Sequence, residues 1–528
     1  MRSFHFPGRS PVYSRRAMCA CSHPAASLAA IDILKRGGNA VDATIAAAAV
    51  LAVVEPQMTG IGGDCFALIA KPGQAPIALN ASGRAPAAAD SAWYQRQGIT
   101  TVERTTPHAV TVPGAIDGWA RLLADHGTLG FDTVLSRAIE LAEEGLAVAP
   151  RVAFDWSRNV AHLSIHEGAR RHLLLDGKAP QVGQVVRFPA LAGTLRAIAE
   201  QGRDAFYTGE RAAEMVATLK ALGGLHTMDD FASQSASYVT PIAVPYGGAE
   251  IYELPPNNQG IVALVMLNIL SRLGRLSDKA MSAERYHVLM EVARLAYAMR
   301  DTFVADPAVS EVPVAHMLSA GVADEIVRRI DRDRRTPDLG PVPRPSGSDT
   351  VYLTVVDADG MAVSFINSLF SAFGSGIVTE KGGITLHNRG QGFVLDPAHP
   401  NCIAPRKRPM HTLVPAMAMK DGQPLMSFGV MGAAFQPMGH VYVVTNMFDY
   451  GMDPQEALDL PRIFFENGRL SLEESVPADV AATLERMGHT IEWRDEPWGG
   501  GQIVYFDRQN GGLVGASDPR KDGHALGY

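Results

Sequence analysis

The sequence predicts an α+β fold in which antiparallel sheets form the core and helices cover them, on three observations. After Thr350 the apolar residues recur at period two, in paired segments joined by tight turns. In the first third they recur at helical spacing and stop at glycines. Between residues 331 and 349 the chain carries charges, glycine and four prolines with almost nothing to bury, as a linker does.

The helices come first. Ala25–Arg36 has helical spacing and ends at Gly37-Gly38; Asn39 is placed to cap a second helix from Ala40 to about Val53. Pro113-Gly114 opens a helix to His126, Phe131–Glu144 forms another that stops at Gly145, and Ala283–Thr302 is long and amphipathic. Three hairpins follow. Thr350–Asp357 turns through Asp357–Gly360 into Ala362–Asn367, Thr412–Met419 through Lys420–Gln423 into Leu425–Val430, and Gln502–Asp507 through Arg508–Gly511 into Gly512–Ala516.

The bulk properties exclude several functions. A net charge of −8 argues against a nucleic-acid partner, and the basic run Arg329–Arg335 is interrupted by aspartates. Cys19, Cys21, Cys65 and Cys402 are too few and too irregular for a disulfide framework, and neither they nor the 16 histidines show metal-ligand spacing. Ala40–Val54 is too short and alanine-rich to span a bilayer, and no signal-peptide pattern precedes it, so a cytoplasmic protein without a membrane role is expected. Gly60-Ile-Gly-Gly-Asp64 lacks the Lys-Ser/Thr of a phosphate loop and reads as a close-packed turn. Ser375 lacks a full nucleophile-elbow pattern, and no His is fixed beside Cys65 in sequence.

Thr350 opens the first strand directly after the linker. Cleavage of the Asp349–Thr350 bond would give it a free α-amine, whose ordinary pKa of about 7.7–8 suits a base at neutral pH. Amine and hydroxyl on one residue form a nucleophile–base pair for acyl transfer. Attack of the hydroxyl on the Asp349 carbonyl, an N-to-O acyl shift and ester hydrolysis would complete the cut. Gly429–Ala434, following a predicted strand, offers backbone amides for an oxyanion hole or makes a plain strand-to-helix turn.

Ile33–Ala43, Thr350–Gly360, Phe373–Ile377, Lys407-Arg-Pro409 and Gly515–Arg520 together resemble the γ-glutamyltransferase family of N-terminal-nucleophile hydrolases. The resemblance implies an αββα sandwich of two stacked antiparallel sheets covered by helices, and autocatalytic cleavage. A large subunit, 1–349, would end in the linker 331–349, and a small subunit, 350–528, would begin at the nucleophile, the two forming one intertwined domain. It implies Thr350 as nucleophile, the amides of Gly432 and Ala433 as oxyanion donors and Ser368 as a hydroxyl beside the nucleophile. It implies no cofactor and no metal. A heterodimer of the cleaved subunits, or a dimer of heterodimers, is the expected assembly.

The substrate side departs from the γ-glutamyl pattern. Ser82 stands where that pattern has a carboxylate-clamping arginine, with Arg84 two positions away as a replacement; Phe370 replaces an asparagine, and Gly392 the acidic partner of the substrate ammonium. His411 and Thr412 replace two serines, and Arg389 a glutamine. Arg389 suits a small carboxylate without an α-amine, and the pattern is similar to the bacterial branch of the family that includes oxamate-hydrolysing members. An autoprocessing threonine amidohydrolase acting on a small carboxylate-bearing amide is expected, with Arg389, His411, Thr412 and Arg84 as binding residues. Glutathione hydrolysis or γ-glutamyl transfer is the alternative within enzymes, and an uncleaved binding protein the alternative outside them.

Overall fold

The computed structural model describes residues 8–337 and 349–528. Two seven-stranded antiparallel sheets are stacked, and helices cover both outer faces. The order in one sheet is His524–Gly527, Met18–Cys21, Asp349–Val356, Ala362–Phe370, Asp64–Ala70, Ile77–Ala81 and Ser237–Val239. In the other it is Val12–Ser14, Gly512–Ser517, Gly500–Asp507, Gln423–Met431, Ala416–Lys420, Ala249–Glu253 and Ile242–Tyr246. Each sheet therefore takes strands from both sides of Thr350, and the α+β sandwich expected from the sequence is the fold found.

Three apolar layers follow from strand alternation. Val351, Leu353 and Val355 face the helices Pro24–Lys35 and Ala40–Val54, while Tyr352 and Val356 point between the sheets with Phe66, Leu68 and Ile366. The third layer packs Gly260–Leu273, Ala283–Phe303 and Gln436–Phe448 against the second sheet. All 15 residues of Ala40–Val54 are buried, and Asn39 and Asp42 close a reciprocal capping box at its start. No helix among the described residues is long and apolar enough to cross a membrane.

Several elements differ from expectation. Phe131–Glu144 is two helices, Phe131–Val134 and Ser136–Glu144. The third predicted hairpin is present, but in the second the strand starts at Ala416 rather than Thr412. There side chains take the backbone groups that a neighbouring strand would need: Asn258 Nδ2 donates to Leu413 O, Gln259 Nε2 to Thr412 O (2.9 Å), and Val414 N to Gln436 Oε1 (2.9 Å). The early strands Met18–Cys21 and Asp64–Ala70 were not anticipated, because both are buried on both faces and show no alternation.

The first part of the linker, residues 331–337, is clasped rather than loose. His287 lies 2.8 Å through Nε2 from Asp331 O and 2.7 Å through Nδ1 from His489 Nε2, while Glu291 accepts from Thr336 N and Arg294. These bonds account for the buried His287, Glu291 and His489 group, whose ligand-type atoms lie within 4.8 Å of one another. The linker beyond residue 337 lies outside the described residues.

A second buried network braces the loop 498–501. Asp518 Oδ2 accepts from Gly501 N (2.8 Å) and Arg462 Nη2 (2.6 Å), Arg462 Nη1 reaches Trp498 O (2.6 Å), and Glu473 accepts from Trp498 N (2.9 Å) and Arg520. Burial alone would raise the Asp518 carboxyl, but Arg462 and Arg520 outweigh it and hold it at about 2.

Two predictions follow from this packing. A Cβ on Gly429 would stand 2.6 Å from Cδ2 of Tyr352, so Gly429→Ala should destabilise the fold by about 1–3 kcal/mol, read as a lower urea midpoint. Because its folded pKa lies below the ordinary value near 4, Asp518 contributes its full stability above that value and loses it as pH falls toward about 2. Asp518→Asn should cost about 3–5 kcal/mol at pH 7 by stranding a buried guanidinium, and should weaken the acid dependence of the midpoint between about pH 5 and 3. An unchanged acid slope would contradict that role.

Candidate active site

Thr350 is almost fully buried, at 1% exposure, at the start of the interior strand Asp349–Val356. The ladder with Ala362–Phe370 slips by one residue there: Asp349 pairs with Phe370 but Val351 with Asn367, so Ser368 and Leu369 both oppose Thr350. A bulge of this kind re-aims side chains. Beyond Leu353 the strand's other neighbour, Met18–Cys21, has ended, which leaves the Thr350 end without a ladder on that edge.

Across the sandwich a register is visible. Thr354 Oγ1 donates to Ser427 Oγ (2.6 Å), and Tyr352 packs on Gly429. Two residues further, the same step sets Thr350 level with Met431, where Gln423–Met431 ends and the turn Gly432-Ala433 begins. Both turn residues have positive φ, 129° and 47°, and neither amide donates to another described residue. Adjacent free N–H groups at a forced turn can receive a developing oxyanion. The loop braced by Asp518 supports this turn from behind: Trp498 stacks on Phe435 at 5.4 Å, and a Cβ on Gly432 would lie 3.2 Å from Gly499 Cα.

Ser368 links the threonine to the binding side. Its Oγ accepts from Thr350 Oγ1 (3.1 Å) and from Phe370 N (2.7 Å). Phe370 has a φ of 81°, a strained value for an aromatic residue, and its ring carries the Arg389 guanidinium 4.1 Å from its centroid. Arg389 is fully buried; Nη1 donates to Thr412 Oγ1 (2.8 Å), while Nε and Nη2 have no hydrogen-bond partner among the described residues. Burial pushes its pKa down to about 9 against the pull of Asp64.

Asp64 supplies the counter-charge without touching the unpaired nitrogens. Its Oδ1 accepts from Gly83 N and Gly114 N, both at 3.0 Å, and Oδ2 lies 3.1 Å from His411 Nε2 and 3.6 Å from His387 Nδ1. Burial works to raise this carboxyl; His387, His411 and Arg389 outweigh it and hold it low. Burial and then Arg389 press His411 down to about 3, so its imidazole is neutral. It donates from Nε2 to Asp64 and accepts at Nδ1 from Leu413 N (3.2 Å).

The structure thus brings Thr350, Ser368, Arg389, Thr412, Gly432 and Ala433 around one end of the inter-sheet layer. The side chain of Asp349 lies outside the described residues. His411 adjoins Arg389, yet both ring nitrogens already have protein partners, so it orients Asp64 rather than facing a ligand. Arg84 is elsewhere engaged: about a third exposed, it donates to Arg406 O (3.3 Å) and lies 3.9 Å from Asp306. The position of the lost clamp is closed as well, with Ser82 fully buried and its carbonyl taken by Arg408 Nε (3.2 Å). Cys65 is buried and its thiol is pushed well up by burial, the reverse of an activated nucleophile. Ser375 Oγ is bound to Leu386 O (2.7 Å). The Gly60–Asp64 segment is a tight backbone turn, Gly63 N closing on Gly60 O (3.2 Å).

Sequence reasoning passed over Asp64 and Gln259. Gln259 is fully buried, and its Nε2 donates to Thr412 O (2.9 Å) and Ala433 O (2.8 Å) while its Oε1 accepts from Arg300 Nη1 (2.8 Å). The signal available was Pro255-Pro-Asn-Asn-Gln-Gly260, three consecutive amides at a strand-to-helix connection, where side chains compete for backbone groups.

Known proteins share this architecture over its whole length. The cephalosporin acylase of Bacillus halodurans superposes with a TM-score of 0.93 at 38% identity, covering 100% of this chain and 99% of its own. The glutathione hydrolase-like YwrD proenzyme of Bacillus subtilis is 36% identical over 98% of this chain and 99% of its own length. The oxamate amidohydrolase proenzyme of Klebsiella pneumoniae is 35% identical over the same shares. The family model described as gamma-glutamyltranspeptidase matches residues 26–528. The chain belongs to the gamma-glutamyltranspeptidase family, and is an N-terminal-nucleophile hydrolase acting on amide bonds.

Proposed function

We propose that this enzyme cleaves itself between Asp349 and Thr350 and then hydrolyses a small amide bearing a carboxylate next to the reacting carbonyl, oxamate being the best fit. The observation that carries the reading is Arg389: a buried guanidinium with Nε and Nη2 unpaired and a counter-ion whose lone pairs are committed elsewhere. Such a group requires an anion, and its fork matches a carboxylate. The route from Arg389 through Phe370 and Ser368 to Thr350 is short, which suits a substrate whose carboxylate and amide are adjacent. A relative named for oxamate supports this choice.

In this reading the Thr350 hydroxyl attacks the amide carbonyl while the freed α-amine takes its proton. The oxyanion forms against the amides of Gly432 and Ala433. Collapse expels ammonia, protonated by the α-ammonium, and water then hydrolyses the acyl ester to release oxalate and restore the threonine. Ser368 holds the hydroxyl, Thr412 steadies Arg389, and the fragments 1–349 and 350–528 stay together as a heterodimer. A γ-glutamyl substrate needs an acidic partner for its ammonium, and a side chain at Gly392 would run into Met410 O, 2.8 Å from a Cβ there.

Two predictions test this. Wild type should run as two fragments in denaturing gels, the shorter beginning at Thr350, while Thr350→Ala should stay a single inactive chain; a wild type that remains intact on incubation overturns the processing step. Arg389→Gln should lower kcat/KM for oxamate about ten- to a hundredfold, the worth of a charged hydrogen bond, and change that for neutral oxamide less than threefold. Fast turnover of a γ-glutamyl anilide without oxamate turnover would reject the substrate.

A further inference from the structure

The Gln259 side chain bonds both halves of the site just described. Its amide nitrogen bonds the carbonyl of Thr412, whose hydroxyl holds Arg389, and the carbonyl of Ala433, whose amide belongs to the positive-φ turn. Its backbone N donates to His411 O (2.9 Å). The remaining acceptor, Oε1, is fixed by Arg300, which is itself nearly buried, stacked 4.8 Å from the Tyr297 ring centroid, and bonded to Asp301. Tyr297 in turn donates its hydroxyl to Ala434 O.

This fixes the amide's orientation without ambiguity. Arg300 has only donors, so the oxygen must face it and the NH₂ must face the two carbonyls. Both N–H bonds are then used, and neither carbonyl can tilt without stretching the other's bond. The carbonyl of Ala433 belongs to the peptide unit directly after the Ala433 amide, so pulling on it rotates the backbone that aims that N–H. A residue with φ of 47° keeps that conformation only when its surroundings impose it.

We infer that Gln259, backed by Arg300, is a positioning residue that locks the oxyanion turn to the carboxylate-binding segment. The inference rests on the proposed assignment of the Gly432-Ala433 amides and deepens it. Carboxylate capture and oxyanion stabilisation are thereby held at one fixed separation, matched to an acid amide in which the two groups are neighbours. The role lies in orienting groups for the transition state, so it acts on kcat and not on ground-state binding.

The test uses processed enzyme carrying Gln259→Leu, which removes both N–H bonds at nearly unchanged volume. On whichever small amide the wild type turns over fastest, kcat should fall about ten- to a hundredfold with KM within threefold. A boronic acid bearing a carboxylate, which captures the threonine hydroxyl as a tetrahedral anion, should bind weaker by a factor matching the loss in kcat. Oxalate, a ground-state ligand, should keep its inhibition constant within threefold. Equal weakening of boronate and oxalate, or kcat within threefold of wild type, overturns the inference. If Gln259→Leu does not assemble, Arg300→Met, which frees the amide without emptying its place, is put to the same two inhibitors under the same criteria. The substrate proposal fails separately, by a wild type that prefers neutral amides to oxamate, and that outcome leaves the boronate comparison intact.

Discussion

The site depends on a one-residue slip in the ladder between Asp349–Val356 and Ala362–Phe370. With perfect pairing Thr350 would face a single partner and its hydroxyl would follow the regular pleat. With two residues opposite one, Ser368 reaches the threonine hydroxyl and Phe370 is thrown into a positive-φ conformation that turns its ring under Arg389. Everything on the binding side hangs from that displaced end of the strand. The turn Gly432-Ala433, the proposed oxyanion hole, hangs from the matching end of Gln423–Met431, and the contacts of Tyr352 with Gly429 and Thr354 with Ser427 keep the two ends level.

Electrostatically the site is an arrangement of buried charge at a distance. Asp64 is held ionised by His387, His411 and Arg389, while two backbone amides and His411 occupy its oxygens, so that they do not bond the Arg389 nitrogens left without a partner among the described residues. A directly paired Arg389 would be more stable and would bind nothing. Keeping the counter-charge close but occupied elsewhere leaves the guanidinium tolerable when empty and, in the proposed function, satisfied when a carboxylate arrives.

Much of this was legible in the sequence, and the limits have physical causes. The hairpins after Thr350 announced themselves because their turns are rich in Asp, Asn and Gly and one strand face meets a different environment from the other. Strands such as Asp64–Ala70, buried on both sides, carry no such alternation and looked like any apolar run. Thr350 stood out because a polar stretch ended at it. Arg389 and Thr412 were suggested by departures from a known pattern. Gln259 and Asp64 work through hydrogen bonds to backbone groups 19 to 174 residues away in sequence, and no local spacing encodes such partners. For His411 and Arg84 the residue type was right for binding but the surroundings claimed the side chains first.

The interleaving of strands has a consequence for any break in the chain before Thr350. Met18–Cys21 lies between His524–Gly527 and Asp349–Val356, and Gly500–Asp507 and Gly512–Ser517 share a sheet with Val12–Ser14 and Ala249–Glu253. Neither piece owns a whole sheet or a whole interior layer. A severed chain is therefore still one folding unit, and the two pieces, made apart, would each meet water with half a core. The single chain is what brings the halves to the same place at the same moment; once the sandwich has closed, its continuity has done its work.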